Sequence, residues 1–207
     1  MKAPLPYPFR LTMALLMLLP LQVLMAQFKG FVFTESPDSV VSMEAEHFYQ
    51  ASAVKGASWQ VIPHSGKTLS ALTLLPTTVD PKGSSLEYRM QLTTNVSQVK
   101  VHVYLTPTLN FDGHEGMLFT LAFDGQTPVQ VNMNGGVSEG RVSQWQKNRI
   151  NQQVIPMTLP ETNDNKHSLV FTPLSPAIVI QKIVVDCGGL KYAYLGPPES
   201  PFIITKK

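Results

Sequence analysis

Val99-Lys100-Val101-His102-Val103-Tyr104-Leu105 alternates apolar and polar side chains without a break. Successive side chains of a β-strand point to opposite faces. This register therefore puts Val99, Val101, Val103 and Leu105 on one face and Lys100, His102 and Tyr104 on the other. The same period recurs on both sides of the segment. Leu86, Tyr88, Met90 and Leu92 alternate with Glu87, Arg89 and Gln91, and Val41, Met43 and Ala45 alternate with Ser42, Glu44 and Glu46. Met117, Phe119, Leu121 and Phe123 run into Asp124-Gly125, a tight-turn pair, and a further strand leaves through Val129, Val131 and Met133. Leu169 with Phe171, Ile178 to Val185, Trp59 to Ile62 and Ala71 to Leu75 are further candidates. About nine or ten strands with little helix between them predict an all-β fold, an antiparallel β-sandwich of jelly-roll type. Only Ser143 to Gln152, with Trp145 and Arg149 on a shared face, reads as a short helix.

The N-terminal residues follow another pattern. Lys2 and Arg10 precede a mostly apolar run, Leu11 to Met25, interrupted by Pro20, and Ala26 supplies a small residue before Gln27. Charge, apolar stretch and small residue in that order predict a cleavable signal peptide over 1–26, and hence a secreted or periplasmic protein. The run falls short of the ~20 apolar residues that a bilayer-spanning helix needs. The expected organisation is a signal peptide (1–26), an N-terminal lead-in (27–39), one β-sandwich domain (40–200) and a C-terminal tail (201–207), with no membrane span after cleavage.

Charge narrows the partners. The chain holds 16 basic and 14 acidic residues, and Lys2 and Arg10 of the leader account for the difference. A mature domain near neutrality lacks the basic excess that nucleic-acid binding draws on. Cys187 is the only cysteine, so no internal disulfide forms, and its place after Ile183-Val184-Val185 reads as a small buried hydrophobe.

No reaction centre is visible. Glycosidic hydrolysis usually needs two carboxyl groups flanking the bond, and the acids here are scattered. Glu44 and Glu46 share a strand face about 7 Å apart. Hard carboxylate oxygens in that arrangement suit a cation or a solvated strand edge. The five histidines have no metal-ligand spacing, and no HExxH, CxxC, GxSxG, P-loop or GxGxxG occurs. Aromatic and amide side chains are the better candidates, because sugar rings stack on flat aromatic faces while amides and guanidinium groups take their hydroxyls. Tyr104 leads into a loop with Asn110 and Phe111. Trp145, Asn148 and Arg149 form a second cluster, and Trp59 is a third contact.

Several segments together resemble one family. Val41-Ser-Met-Glu-Ala-Glu-His-Phe48, Trp59-Gln-Val-Ile-Pro63, Val103-Tyr-Leu-Thr-Pro107, Asp124-Gly125 and the stretch from Trp145 to Asn151 fit it. The ending Ile183-Val-Val-Asp-Cys-Gly-Gly-Leu-Lys-Tyr-Ala-Tyr-Leu-Gly-Pro-Pro-Glu-Ser200 is its most specific part. Residues 40 to 200 resemble the C-terminal β-sandwich domain of family-115 glycoside hydrolases, the xylan α-glucuronidases. The resemblance implies a fold similar to carbohydrate-binding modules and an accessory role without the catalytic domains. It also implies a structural calcium, since related sugar-binding modules hold one with an acidic pair in the first strand and an acid in the last. Glu44 and Glu46 match the pair. Gln181 stands where the last acid is expected, leaving Asp186 as the substitute ligand.

Two functions follow as expectations, with a third, an unrecognised hydrolase, least supported. One is a non-catalytic domain that binds plant cell-wall polysaccharide or oligosaccharide, such as glucuronoxylan. The other is an interaction subunit that docks onto a glycoside hydrolase or onto itself.

Overall fold

The computed structural model describes residues 28–111, 116–133 and 152–206. The expected signal peptide, the short helix up to residue 151 and the candidates Trp145, Asn148 and Arg149 lie outside them, and Gln152, read as the helix's last residue, opens a strand. The described residues form thirteen strands: β1 (Phe28–Thr34), β2 (Val40–Glu44), β3 (Gln50–Ser52), β4 (Ser58–Ile62), β5 (Ala71–Leu75), β6 (Ser85–Gln91), β7 (Gln98–Leu105), β8 (Leu118–Phe123), β9 (Val129–Asn132), β10 (Gln152–Thr158), β11 (Lys166–Pro173), β12 (Val179–Asp186) and β13 (Phe202–Lys206). They make two sheets. One runs β13-β1-β6-β11-β8-β9, with β3 also on β6; the other runs β10-β7-β12-β5-β4, with β2 also on β12. Every pairing is antiparallel except β1 with β6. The all-β sandwich expected from the period-two patterns is the fold observed.

The alternation does the work foreseen for it. Leu86, Tyr88 and Met90 of β6, Val99, Val101 and Val103 of β7, Phe119, Leu121 and Phe123 of β8, and Leu169 and Phe171 of β11 all enter one core between the sheets. Phe119 and Phe171 stack there at 5.0 Å. Each large apolar side chain so buried contributes about 1.5–3 kcal/mol relative to exposure. Asp124 and Gly125 take positive φ values of 49° and 73°, which lets β8 turn back into β9. Cys187 is buried, and burial pushes its thiol up to about 12, far from the range of a reactive thiolate.

Three expectations change. The segments read as lead-in and tail both enter the sheet, since β1 and β13 pair from Phe28↔Lys206 to Phe33↔Phe202. Phe31-Val32-Phe33 and Ile203-Ile204 are apolar without alternation, so period alone does not mark them as strands. Gly30 fixes the path of β1: a Cβ there would lie 1.9 Å from the Tyr49 carbonyl oxygen, and its φ is 126°. The third change concerns β7. His102 and Tyr104, expected on a polar exposed face, are 9% and 3% exposed. The face they occupy is covered by another part of the chain.

Candidate functional site

The cover is the segment 188–200, which leaves β12 in one sheet and reaches β13 in the other. It lies as a strap over the outer face of the six-stranded sheet. Asp186 starts it, its Oδ1 accepting hydrogen bonds from the backbone N–H of Gly188 (2.8 Å) and Leu190 (3.0 Å). Leu190 then packs on Val40, Tyr104 and Val184, a small apolar cluster separate from the main core. Lys182 Nζ donates to the Pro197 carbonyl at 3.1 Å, and Ser42 Oγ donates to the same oxygen. The strap also satisfies the free edge of β2. Ser42 N–H donates to Ser200 Oγ at 2.9 Å and Glu44 N–H to Glu199 Oε1 at 3.0 Å. An edge with its donors met in this way is protected against pairing with another chain.

Charge reinforces the strap's far end. Glu199 Oε1 lies 2.7 Å from His47 Nδ1, and the ring of Phe31 stacks on that imidazole at 4.4 Å. The hydrogen bond to Glu199 raises the pKa of His47 against the effect of burial, and the charges of Glu199, Glu46 and Glu44 add to it.

What the strap displays is aromatic. Tyr192 is 96% exposed and Tyr194 is 75% exposed, with Leu195 beside them. Tyr194 is tied down. Lys67 Nζ donates to the Tyr194 carbonyl at 2.9 Å and sits 4.9 Å from the ring centroids of both Tyr194 and the buried Tyr104. Burial, then the charge of Lys182, lowers the pKa of Lys67. Between the strap and the turn joining β1 to β2 runs a groove of about 380 Å³, lined among others by Asp38, Val40, Leu190, Lys191 and Pro198. Gly196 lets the strap come this close: its φ is 75°, and a Cβ would stand 3.1 Å from Tyr104 Oη.

The residues singled out from sequence do not assemble into one site. Trp59, on edge strand β4, is half-buried against the main core and donates its indole N–H to the Ser52 carbonyl at 2.8 Å. Tyr104 lies on the opposite face of the same sheet, sealed beneath the strap. Asn110 and Phe111 stand exposed in the loop after β7, Phe111 at 59%. The expected calcium ligands are engaged otherwise. Glu44 Oε1 pairs with Lys182 Nζ at 3.0 Å and accepts a hydrogen bond from Thr68. Asp186, four residues along β12 from Lys182, is about 13 Å away by strand rise and caps the strap. Oε2 of Glu44 and Oε2 of Glu46 are buried without partners, which would favour a cation. The ammonium of Lys182 decides against it: a divalent ion at Glu44 would face a fixed positive charge at contact distance. These residues do not fit the metal. No group of three metal-ligating side chains occurs among the described residues.

Sequence reasoning missed Tyr192 and Tyr194 as surface residues although it quoted their motif. A cue was present. They sit between Gly188-Gly189 and Gly196-Pro197-Pro198, in a stretch with neither strand nor helix period, where no local partner can bury them.

Two packed sheets and a covering strap define an all-β sandwich domain. A family model, the glycosyl hydrolase family 115 C-terminal domain, matches residues 32–199, and the chain belongs to that family. A family GH115 4-O-methyl-α-glucuronidase with specificity for decorated arabinogalactans is similar at 19% identity and a TM-score of 0.52, over 70% of this chain and 17% of that one. The chain thus spans a small part of that enzyme, and the likeness concerns the fold. The C-terminal family 6 carbohydrate-binding module of a laminarinase from Zobellia galactanivorans is 12% identical, with a TM-score of 0.46 over 71% of this chain and 98% of that one. A family 35 module from Clostridium thermocellum is 15% identical, with a TM-score of 0.46 over 70% and 98%. No curated protein matches the chain.

Proposed function

We propose that this chain is a secreted, non-catalytic accessory domain that binds plant cell-wall glycan through the tyrosines of its strap. The observation that carries the reading is the near-complete exposure of Tyr192 and Tyr194 on a segment otherwise pinned to the sheet. Exposed aromatic rings cost solvation unless they meet a partner, and flat rings held rigidly lose little entropy when a sugar ring stacks on them. Lys67, 4.9 Å from the Tyr194 ring centroid, supplies positive charge next to the rings, which suits a chain carrying uronic acid branches such as glucuronoxylan. Family membership supports a carbohydrate-associated role. Calorimetry of the wild-type protein and a Tyr192→Ala, Tyr194→Ala variant against glucuronoxylan, arabinogalactan and unsubstituted xylan tests it. Heat of binding lost in the variant supports the proposal; equal binding by both proteins, or none by either, overturns it.

One observation favours a second reading, docking onto a glycoside hydrolase or a second copy. Edge strand β13 exposes Ile203 at 65% and Ile204 at 44%. Apolar side chains beside an unpaired strand edge are a template for β-pairing with another chain. Light scattering of the wild-type protein, alone and mixed with a family-115 catalytic domain, separates this reading from the first.

A further inference from the structure

At the end of the sandwich where β6 turns into β7 and β10 into β11, the two loops, 92–97 and 159–165, enclose a cavity of about 320 Å³. The cavity is held open from both sides. Leu92 N–H donates to the Asn165 carbonyl and Leu159 N–H donates to the Ser97 carbonyl, both at 2.9 Å, so each loop is tied to the other. Gln91 Nε2 adds a bond to the Asp164 carbonyl at 2.7 Å. Glu35, itself buried, braces the first loop from behind. Its Oε2 accepts from Thr93 N–H, Thr93 Oγ1 and Thr94 N–H at 2.6, 2.9 and 2.8 Å, and its Oε1 accepts from Thr94 Oγ1. A cavity braced in this way is preformed, as small-molecule sites usually are.

Its lining is polar and largely unspent. The side chains of Asn95, Ser97, Glu161, Asn163 and Asn165 line it with no hydrogen bond engaging them among the described residues, and Thr162 Oγ1 is buried without a partner there. His167 lines it too. Its Nδ1 lies 2.8 Å from Asp124 Oδ2, and Asp124 Oδ1 accepts from Ser168 N–H at 2.7 Å. Asp124 thus occupies Nδ1, and Nε2 is the ring's remaining polar atom. Leu92, Val96, Leu159 and Pro160 supply an apolar patch.

The donor set selects the ligand. A metal ion needs several hard anionic oxygens, and Glu161 is the one carboxylate in the lining among the described residues. A phosphate or uronate needs cations, and among the described residues no Lys or Arg lines the cavity. Three amides and two hydroxyls, with one carboxylate and one imidazole nitrogen, suit a neutral group that donates and accepts at many points. We infer that this cavity is a binding site for a neutral, hydroxyl-rich ring, such as a terminal or branching pyranose. The inference stands on the cavity alone and does not rest on the tyrosine surface of the strap.

Amide chemical-shift mapping of the labelled protein tests it, with xylose, arabinose and galactose as probes and glucuronic acid, phosphate and calcium chloride as charged controls. The neutral sugars are expected to shift the amides of Asn95, Ser97, Thr162 and Asn163, and the controls to leave them unmoved. Asn163→Ala and Thr162→Val should each weaken binding roughly threefold to tenfold, the effect of losing one hydrogen bond. Asn163 is exposed, so an unchanged melting temperature in its variant separates lost contact from lost fold. Tyr192→Ala, Tyr194→Ala should bind these sugars like wild type. The inference fails if no neutral sugar shifts the loop amides, if a charged control shifts them equally, if N163A binds unchanged, or if the shifts vanish with the tyrosines.

Discussion

Lys182 Nζ lies 3.0 Å from Glu44 Oε1, with side chains 1% and 5% exposed. The pair joins neighbouring strands, since Lys182 and Glu44 are register partners in β12 and β2. It also supports the strap, because the same ammonium donates to Pro197. Removing one member of a buried pair leaves an uncompensated charge at a cost of about 3–5 kcal/mol, whereas replacing both with apolar groups is often neutral. Lys182→Ala is therefore expected to lose roughly that much stability in urea unfolding. A K182M, E44L double variant should recover most of it.

The strap tyrosines give the opposite profile. Tyr192 and Tyr194 bury little, so Tyr192→Ala should change stability by no more than about 0.5 kcal/mol. Its affinity for a uronic-acid-bearing xylan should fall by about tenfold, since stacking on an aromatic ring accounts for ~1.4 kcal/mol or more. Thermal melts and titration calorimetry on one preparation measure both.

The His47–Glu199 contact makes strap attachment depend on pH. The pKa of His47 is raised in the fold, chiefly by Glu199, so the charged ring binds more tightly folded than unfolded. This stabilisation is complete below the unfolded value of about 6.5 and is lost as pH rises through the higher folded value. His102 acts in reverse. Burial lowers its pKa, so its contribution is present above about 6.5 and is lost as pH falls through the depressed value. Melting temperatures from pH 5 to 9 for wild type and His47→Gln isolate the first effect. Subtracting the variant's profile should leave a stabilisation that declines toward alkaline pH.

Glu35 predicts an acid-side effect. Burial alone would raise its pKa, but hydrogen bonds from Thr94 and Thr93 outweigh burial and hold it below the ordinary carboxylate value. Its contribution is present above the unfolded pKa and is lost as pH falls through the depressed one. Glu35→Gln, which cannot accept these bonds with full charge, should be destabilised by about 1–3 kcal/mol at neutral pH and should lose stability less steeply on acidification. Urea midpoints at pH 7 and in the acid range provide the comparison.

Edge strand β13 is the place to look for self-association. Ile203→Lys adds an exposed charge where natural edges carry one, and it should lower any dimer fraction seen in light scattering without changing the monomer's melting temperature. A dimer fraction equal to wild type would place self-association elsewhere.

The sandwich was legible because Val99 to Leu105 and its companions bury one face between two sheets, and a two-residue period reports that directly. The covering of the other face was not. Nothing local to Tyr104 or Lys182 shows that residues 188–200 return over them, since contacts such as Ser42 with Ser200 span 158 positions. Lys182 lies in an otherwise mostly apolar run, and only the register with Glu44 makes it a buried partner. The polar cavity was invisible for the same reason. Its walls come from loops more than sixty residues apart, and each loop alone is ordinary polar sequence. Tyr192 and Tyr194 were within reach, because a stretch bounded by glycines and prolines gives two aromatic rings nowhere to hide.

The pairing of β1 with β13 brings Phe28 and Lys206 side by side in the ladder. Points of attachment before and after the sandwich are thus about one strand spacing, ~4.8 Å, apart. A host protein can accept the domain within a surface loop without opening a wide gap, and joining those ends through a short connector would permit new ends to be cut elsewhere, for example between Asp124 and Gln126.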